Sequence, residues 1–109
     1  MIRPGLTRVV GASMEPTLRQ GDLLLVLWGA RAKIGSLAIV RLPHDTHGVP
    51  RPISVKRIAG VDPNDRSRWW IERDNPRAGV DSWLVGSLPD EAVLARVLLR
   101  IPCSRGPFT

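Results

Sequence analysis

A chain of 109 residues, 43% apolar and 24% charged, suits one globular domain (residues 1–109) and excludes a disordered polymer or a second catalytic module. Its net charge of +6 and pI near 11.2 raise nucleic acid or an anionic membrane as partners. The arginines, however, are scattered from Arg3 to Arg105 without a helix-turn-helix, zinc-finger or aromatic RNA-binding pattern, so no specific nucleic-acid partner is expected.

In chain order, the predicted strands are Leu6–Val10, Asp22–Trp28, Leu37–Leu42, Ile53–Ala59, Trp69–Glu72 and Ala92–Ile101. Each is rich in Val, Ile, Leu or Trp and bounded by Gly, Pro, Asn or Asp, the usual punctuation of short strands. "RQGD", "AKIGS" and "VDPND" read as turns, and "LPHDTHGVPRP" as a loop with three prolines. "DEAVLARVLLR" competes as a helix, because Pro89-Asp90-Glu91 suits a helix start. Its β-branched residues alternate with Arg, which favours a short turn feeding a last strand. The expected fold is all-β, mainly antiparallel, as a compact coiled sheet or barrel.

The longest apolar run, Leu23 to Ala30, falls far short of the ~20 residues that span a bilayer. The N-terminal stretch lacks a secretory pattern. The expectation is therefore no transmembrane anchor and cytoplasmic residence, with a peripheral membrane contact through the basic surface left open. Cys103 is the sole cysteine, which excludes an internal disulfide and a cysteine metal cluster.

Fourteen arginines accompany only two lysines. Lys33 lies in a turn, whereas Lys56 sits in "ISVKRIAG", sharing a strand face with Ser54 and Ile58. Arginine stays protonated, but a desolvated lysine can give up its proton. An unperturbed lysine is neutral in only roughly one molecule in 2,500 at pH 7, a handicap of about 4.6 kcal/mol for a general base. Burial against aliphatic walls lowers a lysine pKa by about three to five units, enough to remove that handicap. Lys56 is thus a candidate base, and the alternative is a solvated charge on an edge strand. A Ser-His-Asp arrangement using His44, Asp45 and His47 is the other source of a base, and a His44/His47 metal site lacks further ligands nearby.

The partner for such a base is Ser13, in "GASMEPTLRQGDLLLV", at the lip of an apolar strand. This segment resembles the nucleophile box of the signal peptidase I family of Ser/Lys serine peptidases. "VKRIAGVDPND" resembles that family's lysine box, and "ERDNPRAGVDSWLVGSLP" its third box, in the same order across Val9 to Pro102. Within the family, "WWIERDNP" and the closing "RVLLRIP" look most similar to nickel-type superoxide dismutase maturation proteases.

The resemblance implies a signal peptidase-type coiled sheet and an endopeptidase that removes a leader or propeptide from a precursor bound as an added strand. Ser13 would be the nucleophile and its backbone N–H an oxyanion donor. Lys56 would be the base, with Met14 packed beside the pair. Asp74, Asn75, Asp81 and Ser82 would brace the loop over the lysine. No cofactor and no metal is needed. Departures from the family pattern are Gly11, where many members carry a hydroxyl donor, Gly79 in place of a serine, Arg73 in place of a glycine, and Trp83 in place of an arginine. With Trp83 there, Asp81 needs another cation, expected to be Arg57. The changes at Gly79 and Trp83 also motivate an alternative reading, a catalytically silent peptide-binding module that keeps the cleft.

Overall fold

The computed structural model describes residues 1–101; Pro102, which closes "RVLLRIP", and Cys103 lie outside them. Seven strands follow one another as β1 (Arg3–Arg8), β2 (Leu23–Trp28), β3 (Leu37–Val40), β4 (Ser54–Asp62), β5 (Asp65–Glu72), β6 (Leu88–Pro89) and β7 (Val93–Ile101). A single helical turn, α1 (Ser82–Val85), precedes β6, and a 3₁₀ turn spans Asp90–Ala92 before β7. The strands make one curled sheet in the order β1-β2-β7-β3-β4-β5-β6, with every pairing antiparallel. The fold is therefore all-β, and the turn-then-strand reading of the C-terminal segment holds.

β2 shows why so apolar a run forms a strand. It lies between β1 and β7, so Leu24 and Val26 point into the core while Leu23, Leu25 and Leu27 are half-covered on the other face. Curvature comes from extra residues. The β2–β7 register slips past Leu98, β3–β7 past Leu94, and β4–β5 past Ala59. Each such bulge bends its strand and increases the local twist, which curls the sheet around its core.

That core has two clusters. Val9, Met14, Leu18, Leu24, Val26, Ile39 and Ala95 form the first. Ala38, Val40, Leu42, Ile58, Ile71 and Leu88 form the second. β4 contributes to both, with Val55 against the first and Ile58 inside the second, and strand alternation puts Lys56 on the Ile58 face. Among the described residues, no helix is long and apolar enough to cross a membrane.

Candidate active site

The loop after β1 is anchored from below. Met14 and Leu18 are buried in the first cluster, and Leu18 N–H bonds the Met14 carbonyl at 2.9 Å. The Glu15–Pro16 peptide between them is cis. With residues 14 and 18 committed to the core, Ser13 is left half-buried at the edge of the cluster. Its hydroxyl meets β4 there: Lys56 Nζ and Ser13 Oγ are hydrogen-bonded at 2.9 Å. Forty-three residues apart in sequence, the two side chains converge on one spot.

Lys56 is 2% exposed. Burial disfavours the ammonium and pushes the amine below its ordinary pKa; Asp81 opposes that shift and Arg73 adds to it. The alternative of a solvated lysine is excluded by this burial, although at Lys56 β4 pairs with β3 and not yet with β5.

A second loop, residues 73–81, clamps the first. Asn75 N–H bonds the Ser13 carbonyl at 2.9 Å, and its side-chain amide bonds the Ala12 carbonyl at 2.8 Å. Asp74 N–H donates to Met14 Sδ at 3.4 Å, and Thr17 Oγ1 donates to Asp74 Oδ2 at 2.5 Å. The Ser13 N–H bonds no acceptor among the described residues, although both neighbouring carbonyls are engaged.

Arg57 does not serve Asp81. It donates to both oxygens of Asp74, from Nε at 3.0 Å and from Nη2 at 2.7 Å, and these bonds hold the Asp74 carboxyl below the usual carboxylate range against the opposing effect of burial. The cation beside Asp81 is Arg73, with Nε 3.7 Å from Oδ2. The reason is strand alternation. Arg57 points away from the face that carries Lys56, whereas Arg73 follows directly on β5 and donates from Nη1 to the Gly79 carbonyl as well. Asp81 thus takes its cation from Arg73 and not from Arg57.

Asp81 caps α1 by accepting from Trp83 N–H at 3.1 Å, and Ser82 Oγ accepts from Ile71 N–H at 2.8 Å. Trp83 itself is 77% exposed, edge-on to Trp70 and bonded to Glu72. Asp74→Asn is expected to lower stability by about 1–2 kcal/mol, a charged hydrogen bond discounted for the partly exposed Arg57. Asp74 is depressed on folding, so its contribution is present above the ordinary carboxylate pKa and lost as pH falls through the folded value. Denaturant titrations should show the gap between wild type and variant closing on acidification.

Two hollows meet at Ser13. A small one, of about 90 Å³, runs from Thr7–Gly11 across Met14 to Ile53 and Val55. A larger one, of about 380 Å³, takes in Lys56, Arg51, Leu42 and the Ala78–Val80 segment. Gly11 borders both with φ 87° and open space around it. Among the described residues β1 has no strand on its outer side, and Ser54 and Val55 pair with β3 but not with β5. The walls therefore offer unpaired backbone to an extended chain lying between them.

No model of a known protein family matches this chain, and no curated protein matches it significantly. The geometry alone has to say what the site can do. His44 and His47 are exposed, and the Asp45 carboxylate is taken up by the backbone N–H groups of His47 and Val49. The structure does not join this loop's histidines to Ser13. Lys33 is exposed in its turn.

The sequence reading missed Thr17 and Arg73 as supports of the site. Thr17 lies within the first motif, one residue before the buried Leu18, and nothing local marks its partner 57 residues away. Arg73 stood out only as a departure from a glycine.

Proposed function

We propose that this chain is a serine endopeptidase acting through Ser13 and Lys56, and that it removes a leader or propeptide from a precursor protein. The observation that carries the reading is a buried amine hydrogen-bonded to a hydroxyl that opens on a cleft with unpaired strand edges. The resemblance of three ordered segments to signal peptidase I supports it. The narrower likeness to nickel-type superoxide dismutase maturation proteases makes a propeptide-bearing precursor the substrate to test first.

In the reaction, Ser13 Oγ attacks the scissile carbonyl while its proton passes to the neutral Lys56 amine. The free Ser13 N–H donates to the developing oxyanion, a bond typically worth about 3–4 kcal/mol. Collapse of the tetrahedral adduct breaks the C–N bond, and the Lys56 ammonium protonates the departing amine. Water then attacks the Ser13 ester, with Lys56 again taking a proton, and the acid product leaves with the hydroxyl restored. Asp74, Asn75, Asp81 and Ser82 touch none of the reacting atoms in this scheme. They hold the two loops that do.

The test is hydrolysis of a library of unstructured peptides, with cut positions read by mass spectrometry. The expected result is cleavage whose kcat/KM rises with pH along one ionisation lying below the ordinary lysine range, since only the neutral amine accepts the proton. Capture of peptides without any product would overturn the enzyme and leave the peptide-binding module. Rates flat across the depressed lysine range would remove Lys56 as the base.

A further inference from the structure

We propose that the substrate carries an acidic side chain within the first two residues after the cut bond, and that Arg51 selects it. This rests on the hydrolytic reading of Ser13 and Lys56. The departing amine must take its proton from Lys56, so the residues after the bond lie on the side of Ser13 that Lys56 lines. Of the two hollows only the larger is lined by Lys56, and the residues before the bond are left to the small, mostly apolar one.

The larger hollow is lined by two basic residues, Lys56 and Arg51. Lys56 is neutral when it acts as a base, which leaves Arg51 as the permanent charge on the leaving side. Arg51 is partly buried as a residue, and its guanidinium is held through Nη1 to the Pro43 and His44 carbonyls at 2.8 and 3.0 Å, in bonds open to solvent. Among the described residues Nε and Nη2 have no bonded partner. A guanidinium held this way has lost its rotamer freedom and keeps donors that match a carboxylate.

Its charge is shared with one nearby acid and with none lining the hollows. Neither hollow is lined by an Asp or Glu. The acid within reach of its field, Asp45, spends Oδ1 on its own loop's N–H groups at 2.8 and 2.9 Å and makes no described bond to Arg51. A carboxylate entering here gains an anchored cation, and a lysine meets repulsion.

The experiment uses synthetic peptides built on one sequence that the protein cuts, varied to Ala, Asp, Glu or Lys at the first and second positions after the bond. Wild-type kcat/KM is expected to be about tenfold higher for the acidic peptides than for the alanine peptide, and lowest for lysine. Arg51→Gln should bring acidic and neutral peptides level, and Arg51→Glu should turn the preference toward lysine. Equal rates for Asp, Glu and Ala in the wild type, a measurement that needs no variant to fold, would overturn the proposal. So would an acidic preference that survives Arg51→Gln. Cleavage without acidic preference fails this inference alone, whereas cleavage of no peptide at all fails the hydrolytic reading and takes this one with it.

Discussion

Lys56→Arg should eliminate peptide hydrolysis, lowering kcat by about 10⁴-fold or more, and Ser13→Ala should do no less. The arginine keeps the positive charge and much of the length but stays protonated across the accessible pH range, so it cannot take the serine proton. Combining the two changes is expected to cost little beyond either alone, because nucleophile and base act as a unit. Single-turnover assays on the three variants check this, and a Lys56→Arg enzyme with rates near wild type would end the dyad account. Lys56→Met separates chemistry from folding. In the native protein the amine titrates below its ordinary value, so between the folded and unfolded pKa the unfolded chain binds the extra proton and stability rises with pH. That contribution is lost as pH falls toward the folded pKa and is absent below it. Methionine places similar bulk at the same buried position without an ionisable group. Its variant should therefore be inactive yet more resistant to denaturant near neutral pH, with the lysine's pH slope removed.

How much of this was legible in the sequence follows from the range of the forces involved. The strands were visible because apolar runs and turn residues are local signals, and β2, β3 and β7 begin within a residue of where the pattern places them. The exceptions have non-local causes. β1 extends back to Arg3 because the backbone of Arg3–Gly5 has Val26–Trp28 to pair with, although "RPG" has the chemistry of a turn. β5 starts four residues early, at Asp65, because the "VDPND" turn closes a hairpin and brings the charged Asp65–Arg68 stretch alongside β4. β6 is two residues long and exists only through Arg68 and Trp69 across from it. In the site, Lys56 could be singled out because a lysine between Val and Ile in an arginine-rich chain is a local anomaly. The pairing of Arg57 with Asp74 and of Arg73 with Asp81 could not, since either arginine matches either carboxylate in charge. Which face each strand presents decides it, and that is settled by the sheet's register.

Gly79→Ala is the substitution through which this geometry is most exposed. Gly79 has φ 83°, and a Cβ there would overlap the Ser13 Cβ while standing 3.2 Å from Lys56 Nζ and 3.4 Å from Ser13 Oγ. The left-handed backbone adds about 1–2 kcal/mol of strain for any L side chain. The clash adds a displacement at the one place where a shift of about 1 Å lowers a rate on the order of 10²-fold. Neither loop can yield freely. Ser13 is tied to Asn75 through its carbonyl, and Gly79 is tied through its own carbonyl to Arg73, which sits beside Asp81. A serine at 79, instead of supporting the lysine, would push the nucleophile off it. The absence of a side chain at 79 is thus a requirement of this particular packing. Gly35→Ala isolates the effect, because Gly35 has φ 87° with nothing within 4 Å of its would-be Cβ. Both variants should lose stability in denaturant titrations, Gly79→Ala by more because of the clash, and only Gly79→Ala should lose about 10²-fold in kcat. If the two lose activity equally, the segment carrying Gly79 does not set the distance between hydroxyl and amine, and the close approach around Ser13 has no bearing on the reaction.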